Sequence, residues 1–349
     1  MVNRLFCLGI AFFSDIMIKV AINGFGRIGR PSFKIISERE DMQVVAINDL
    51  SPTDSLAYLL KYDTAYGVYK KDVQTTESEL LIDGEKIPVF SEKDPNNLPW
   101  KDLEVDVVLE CTGFFTDRSG AEGHLNAGAK KVVISAPTKD KTIKTFVRGV
   151  NEGEISDDDK IVSNASCTTN CLAPMMKVLE SNFGVEKALM STIHSYTSTQ
   201  SLVDGVDKKD KRRGRAAAQN VIPTSTGAAI ATTLALPELN GKFDGMAYRV
   251  PTVVGSVSDL TAVLKKEVSV EEINNAFREA SEGELRGIMQ FSEEALVSHD
   301  IVGNPHSVIF QPDLTKVIGG NLIKIAGWYD NEWGYSNRLV DMAKILAEK

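Results

Sequence analysis

From the methionine at position 17 onward, the chain alternates short β-branched runs with longer segments at helical spacing. Ile18 to Ile22 reads Ile-Lys-Val-Ala-Ile and predicts a buried strand. Arg30 to Arg39 carries Phe33, Ile35 and Ile36 and predicts a helix, and Met42 to Ile47 a second strand ending at Asn48-Asp49. Val105 to Leu109 predicts a further strand, Ser119 to Ala129 a helix, and Lys131 to Ile134 another strand. This alternation implies a mostly parallel sheet with helices on both faces, the doubly wound α/β class. Between Val68 and Phe90 shorter alternating runs with a turn at Asp83-Gly84 predict an antiparallel hairpin insertion.

Beyond about residue 165 the pattern changes. Ala188 to His194, Gly245 to Arg249, Ser256 to Leu264 and Leu322 to Trp328 predict strands. Leu172 to Ser181, Gly227 to Leu236 and Val270 to Ser281 predict longer helices, so this part reads as a separate α+β unit. Ser336 to Glu348 predicts an amphipathic terminal helix, and the polar stretch Asp204 to Arg215 a long loop.

Composition narrows the picture. A chain of 349 residues suggests two domains, at about 100–200 residues each. The net charge of −9 argues against nucleic acid as the primary partner. The four cysteines, Cys7, Cys111, Cys167 and Cys171, make no disulfide framework and no metal-ligand spacing, so a reducing, cytoplasmic setting and no metal are expected. Residues 1–16 contain an apolar run, Leu5 to Phe13, without a small-x-small cleavage site and too short to span a membrane. They are read as an extension with the true start at Met17, a native extension and a targeting role being the alternatives.

Gly24-x-Gly26-x-x-Gly29 lies between a predicted strand and a predicted helix, where a dinucleotide fingerprint must lie to carry meaning. Gly24 permits the turn, Gly26 lets a pyrophosphate approach the backbone, and Gly29 allows close helix–strand packing. Asp49, twenty residues past Gly29, is placed to accept from a ribose diol and to repel a 2′-phosphate, which favours NAD over NADP.

Ser166-Cys167-Thr168-Thr169-Asn170-Cys171 precedes the helix predicted from Leu172. A thiol at a helix N-terminus is favoured as thiolate, so Cys167 is a candidate nucleophile and Cys171, one turn on, a buried neighbour. Of the four histidines, His194 ends a predicted strand and opens a polar loop, which makes it the candidate base; a satisfied core histidine is the alternative.

These motifs have a precedent. Asn-Gly-Phe-Gly-Arg-Ile-Gly-Arg, Ala-Ser-Cys-Thr-Thr-Asn-Cys, His-Ser-Tyr-Thr, Pro-Thr-Ser-Thr-Gly-Ala-Ala, Tyr-Arg-Val-Pro and Trp-Tyr-Asp-Asn-Glu-Trp-Gly-Tyr-Ser occur in order from Met17 almost to Lys349. The chain thereby resembles phosphorylating glyceraldehyde-3-phosphate dehydrogenases of type I. The resemblance implies a Rossmann-type domain over 17–166, completed by helix 332–349, and a catalytic domain over 167–331. It implies that Cys167 attacks the aldehyde of glyceraldehyde 3-phosphate, that His194 serves as acid and base, and that a thiohemiacetal becomes a thioester opened by inorganic phosphate. It assigns Thr197 and Arg249 to the substrate's phosphate, and Ser166, Thr168, Arg213, Thr226 and Gly227 to inorganic phosphate or the region shared between the two. For NAD, with NADP also possible, it assigns Gly24, Gly26, Arg27, Ile28, Gly29, Asp49, Lys93, Thr112, Ser135 and Asn331, with Tyr335 either beside the nicotinamide or a plain core aromatic. It further implies a homotetramer.

Two departures stand out. Ile230 and Leu234 occupy places where such enzymes often carry Lys, and Asp204-Gly-Val-Asp207 lacks the Leu-Pro pair of many strictly NAD-dependent members. The rival readings are a sister enzyme that acts on erythrose 4-phosphate and hydrolyses the thioester, and a binding protein that keeps the scaffold without the activity.

Overall fold

The computed structural model describes residues 17–349; the expected extension 1–16 and Cys7 lie outside the described residues. The strand Ile18–Asn23 is the pivot of a nine-stranded sheet. Seven strands run parallel across it: Lys144–Thr145 at one edge, and the six strands Glu85–Phe90, Met42–Asn48, Ile18–Asn23, Val107–Glu110, Lys131–Ile134 and Ile161–Ser163. In chain order these six are third, second, first, fourth, fifth and sixth, the doubly wound arrangement whose winding reverses between the first and fourth strands.

The apolar runs are continuous because both faces of the sheet are covered. On one face Val20, Ile22, Val107, Leu109 and Val133 pack with Phe33 and Ile36 of the helix Gly29–Ile36 and with Leu339, Val340 and Met342 of the C-terminal helix Trp333–Ala347. On the other, Ala21, Ala46, Val108, Val132 and Ile134 pack with Trp100 and Ala121.

The predicted hairpin is present: Glu79–Ile82 and Glu85–Phe90 pair antiparallel around Asp83 and Gly84, both at positive φ. Its second strand, however, is not merely an insertion, because Val89 and Phe90 also pair parallel with Ile47 and Asn48.

Residues beyond 165 build an eight-stranded mixed sheet. Its inner face packs on the helix Cys167–Phe183, with Leu172, Met175 and Met176 sharing a core with Met190, Leu260, Ala262 and Ile325. Two pairings matter for the site. Strand Val185–Ser195 runs parallel to Phe243–Val250 with His194 opposite Arg249, and Ile222–Ser225 runs antiparallel to Phe243–Val250 with Ile222 opposite Arg249.

Candidate active site

The glycine turn sits at the reversal of the winding. Gly24 has φ +93°, and a Cβ there would lie 2.7 Å from the Thr112 amide nitrogen, on the strand end across the switch point. At Gly29 a Cβ would lie 2.2 Å from the Gly24 carbonyl oxygen, whereas at Gly26 it would meet nothing within 4 Å. Two glycines are thus required by the protein's own packing, and the third leaves space open for something else. Asp49 secures the turn by accepting from the Phe25 N–H at 2.8 Å, and also accepts from the Ser51 N–H at 2.9 Å. A carboxylate has further lone pairs to offer a ribose.

A cleft of about 550 Å³ opens here, lined by Gly24, Gly26, Asp49, Leu50, Thr112 and, unforeseen from the sequence, Cys111, Phe114 and Phe115. Phe114 is 85% exposed, an uncovered aromatic beside the cleft. Beneath it lies a buried polar floor. Glu110 accepts from Asn23 Nδ2 at 2.5 Å, from the Thr112 N–H at 2.8 Å and from the Thr112 hydroxyl. His124 Nε2 lies 3.1 Å from Glu110, and Trp100 Nε1 donates to His124 Nδ1 at 3.0 Å, which fixes the imidazole proton on Nε2. None of this non-local network carries a motif.

Other cofactor candidates divide. Ser135 lies beside the Cys111 thiol, which burial pushes far up from its ordinary range. Arg27 turns its guanidinium away, to ion pairs with Asp63 at 2.6 Å and with Glu332, leaving its backbone and that of Ile28 in the turn. Lys93 is exposed and outside the cleft lining. Asn331 is buried; its Oδ1 accepts from the Gly255 N–H at 3.1 Å and the Ser256 hydroxyl at 3.0 Å. Its Nδ2 makes no hydrogen bond among the described residues and is a donor of the kind a carboxamide oxygen can accept from. Open space at Gly26, a free Asn331 amide and an acid at the strand end together fit a dinucleotide. Tyr335 is a buried aromatic that donates to the Ala165 carbonyl at 3.2 Å.

The helix expected from Leu172 already begins at Cys167. Ser166 caps it, accepting from the Thr169 N–H at 3.1 Å. The backbone N–H groups of Cys167 and Thr168 consequently face Sγ and favour its charged form. Burial outweighs them, and outweighs the Arg249 charge that also favours the thiolate, so the thiol ends above its ordinary value. Cys171, fully buried one turn later, is pushed up to about 12 by burial.

Cys167 Sγ lies 3.4 Å from His194 Nε2. On the far side of the ring, Nδ1 lies 2.7 Å from the Ser195 carbonyl and 2.6 Å from Arg249 Nη1. Burial first and Arg249 second lower the His194 pKa to about 3. Among the described residues, His124, His299 and His306 hydrogen-bond to no cysteine: the first is in the polar floor, the second exposed, the third bonded to Asn304.

Two arginines converge beside this pair. Arg213 Nε donates to Thr224 at 3.0 Å, on the strand adjoining Arg249, and its charge lowers the pKa of Arg249 after burial, the larger cause. Arg249 Nε is buried with no partner among the described residues. Like charges held together with an unspent donor fit an anion. Thr226 Oγ1 accepts from the Ala228 N–H at 3.2 Å, and Gly227 caps the helix Ala228–Ala235 nearby in sequence. Arg212 and Arg215, by contrast, are spent on surface pairs with Asp210 and Asp204. Thr197 bonds to Gln200 and Thr199, and Thr168 turns its hydroxyl inward to Tyr329 at 2.9 Å.

Comparison with known proteins agrees with this geometry. Residues 18–118 match the family model for the NAD binding domain of glyceraldehyde 3-phosphate dehydrogenase, and residues 166–331 the model for its C-terminal domain. The chain is 53% identical over 334 residues to glyceraldehyde-3-phosphate dehydrogenase 2 of Streptomyces avermitilis, covering 95% of this chain and 99% of that one. It is 51% identical to glyceraldehyde-3-phosphate dehydrogenase 1 of Candida glabrata, covering 95% and 100%. It is likewise 51% identical to the glyceraldehyde-3-phosphate dehydrogenase of Geobacillus stearothermophilus, covering 95% and 99%. With a thiol and imidazole in contact, paired arginines beside them and a glycine turn at the switch point, the chain belongs to the glyceraldehyde-3-phosphate dehydrogenase family.

Proposed function

We propose that the protein oxidises glyceraldehyde 3-phosphate, with NAD and inorganic phosphate, to 1,3-bisphosphoglycerate. The observation that carries this reading is the 3.4 Å contact between Cys167 Sγ and His194 Nε2, with Arg249 and Arg213 beside it. Sγ bonds to the aldehyde carbon while His194 removes the thiol proton and passes it to the former aldehyde oxygen, giving a thiohemiacetal and a neutral imidazole. His194 then takes the hydroxyl proton as the thioester carbonyl forms. NAD, when bound, supplies the hydride acceptor. Inorganic phosphate adds to the thioester carbonyl, the carbon–sulfur bond breaks, and Cys167 departs as thiolate stabilised by the imidazolium. Arg249 with Thr197 holds the substrate's phosphate. Arg213, Ser166, Thr168, Thr226 and Gly227 hold the attacking phosphate, the first by charge and the rest by hydroxyl or backbone N–H.

For the cofactor, the turn Gly24, Gly26, Arg27, Ile28 and Gly29 holds the pyrophosphate through its backbone. Asp49 holds the ribose and disfavours a 2′-phosphate, Lys93 reaches the adenine end, Thr112 and Ser135 line the crevice, and Asn331 holds the carboxamide. Residues 17–166 with 332–349 form the cofactor domain and 167–331 the catalytic domain.

We further infer a homotetramer. The strand Val185–Ser195 buries Met190 but leaves Leu189 66% exposed on the opposite face, near Ile230 at 68%. Both line an open apolar hollow of about 920 Å³, and an apolar patch on a sheet face calls for a partner. Sedimentation should give a four-subunit mass; a monomer would overturn this. No helix among the described residues is long and apolar enough to cross a membrane. The unpaired thiols of Cys111, Cys167 and Cys171 suit a reducing, cytoplasmic location.

Intact-protein mass spectrometry tests the covalent step. With aldehyde and NAD but no phosphate, an acyl adduct should accumulate on Cys167 and vanish when phosphate is added. Cys167→Ser should show neither adduct nor turnover; an adduct that persists in this variant would remove the nucleophile.

A further inference from the structure

The thiol and the imidazole are carried by different elements. Cys167 opens the helix Cys167–Phe183, and His194 lies at the end of the strand Val185–Ser195. The 3.4 Å contact between Sγ and Nε2 therefore exists only while the helix start and the strand end are held together. A proton passes between two groups only within hydrogen-bond reach, and a misplacement of about 1 Å can cost about 100-fold in rate.

A third element spans the same gap beside the pair. The Tyr329 hydroxyl, at the end of the strand Leu322–Tyr329, lies 2.9 Å from the Thr168 hydroxyl and 2.8 Å from the Thr192 hydroxyl. Thr168 directly follows Cys167. Thr192 comes two residues before His194, and the period of a strand puts both of those side chains on one face, where both are buried. The strand Ser256–Leu264 lies between the strands of Thr192 and Tyr329, so the phenol reaches over it. Thr192 also donates to the Val257 carbonyl of that middle strand at 3.3 Å. The Tyr329 ring stands edge-on to the imidazole, with centroids 5.8 Å apart and planes at 76°. Among the described residues, Tyr329 is the one side chain from outside the helix and the strand that hydrogen-bonds to both.

A phenol gives one hydrogen bond and takes another, so both threonines are served whichever way the protons run. Burial alone does not call for this arrangement: Val at 192 and Phe at 329 would fill nearly the same space with no polar atom to pair. Buried hydroxyls that spend their bonds on one another add little net stability. What they do is fix the distance between the two segments that carry the thiol and the imidazole. We propose that Tyr329 is a positioning residue: by tying Thr168 to Thr192 it holds Cys167 Sγ within reach of His194 Nε2 before any substrate arrives. This role rests on the function proposed above and adds the device that sets its central contact.

The test is the rate at which iodoacetamide, a small neutral reagent, alkylates Cys167 in the full-length protein at pH 7, read by peptide mass spectrometry. Tyr329→Phe removes only the hydroxyl, and Thr192→Val cuts the same tie from the other strand at nearly unchanged volume. Each should slow alkylation about fivefold, the worth of one hydrogen bond. Thr192→Ser keeps a hydroxyl and should restore the rate. In a His194→Asn background, Tyr329→Phe and Thr192→Val should change nothing further, because the tie acts only through the imidazole. A merely structural tyrosine would not behave so, since loosening of the fold would alter both backgrounds alike. An unchanged rate in Tyr329→Phe or in Thr192→Val, or slowing of equal size in the His194→Asn background, would overturn the proposal. Should Tyr329→Phe fail to fold, Thr192→Val decides the matter in the same two backgrounds. Aldehyde turnover by the unmodified protein separates the two ideas: turnover with alkylation indifferent to these variants defeats only the tie, and absent turnover defeats the functional reading.

Discussion

Ala165 holds a left-handed backbone, φ 54°, two residues before Cys167, the proposed nucleophile. For a residue with a Cβ this costs about 1–2 kcal/mol and persists only where neighbours enforce it. Here Ser163 accepts from its N–H at 3.1 Å and Tyr335 donates to its carbonyl at 3.2 Å. The bend sends the chain from the strand Ile161–Ser163 into the helix that begins at Cys167, aiming Sγ and the first N–H groups at one point. Ala165→Gly should leave thermal stability nearly unchanged, because relief of strain offsets the added freedom of the unfolded chain. Ala165→Val should lower the melting temperature and slow alkylation of Cys167. Equal stability of the two variants in thermal scans would show that the bend is not enforced.

At the level of elements, the strand–turn–helix at Gly24 to Gly29 separates folding from binding. A methyl at Gly29 collides with the Gly24 carbonyl, and one at Gly26 meets open space. Gly29→Ala should therefore reduce stability and cofactor binding together, whereas Gly26→Ala should fold normally and lose cofactor affinity, as seen by cofactor titration alongside thermal scans. Normal binding by folded Gly26→Ala would mean that nothing approaches the backbone there. This element was legible in the sequence because its chemistry is local: three glycines, a β-branched run before them and an amphipathic run after. The helix Thr53–Lys61 carries no such local signal, since it opens behind Pro52 with exposed Tyr58 and Leu59 blurring its apolar face. The strands Val308–Phe310 and Lys316–Ile318 are too short to show a period and exist through pairing with Leu322–Tyr329. Arg213 and Arg249 lie 36 positions apart in sequence, and only the antiparallel pairing of Ile222–Ser225 with Phe243–Val250 brings them together. The Glu110–His124–Trp100 floor is likewise assembled from three separate segments.

For the molecule as a whole, the cofactor crevice and the thiol come from different sheets, and a few contacts join them. Arg27 of the glycine turn pairs with Glu332, next to Asn331, whose Oδ1 binds Ser256; Ser256 in turn accepts from the Ser195 N–H at 3.1 Å, beside His194. The C-terminal helix that follows packs back on the first sheet, so the residue expected to orient the nicotinamide is held by both units. The proposed mechanism sets an order of events: an aldehyde captured on sulfur, oxidised at the cofactor, and released by an attacking phosphate. Steady-state kinetics with glyceraldehyde 3-phosphate and NAD, run with and without inorganic phosphate, test that order. Sustained turnover should require phosphate. NADH formed at an equal rate without it would contradict the assignment, because water would then be opening the thioester.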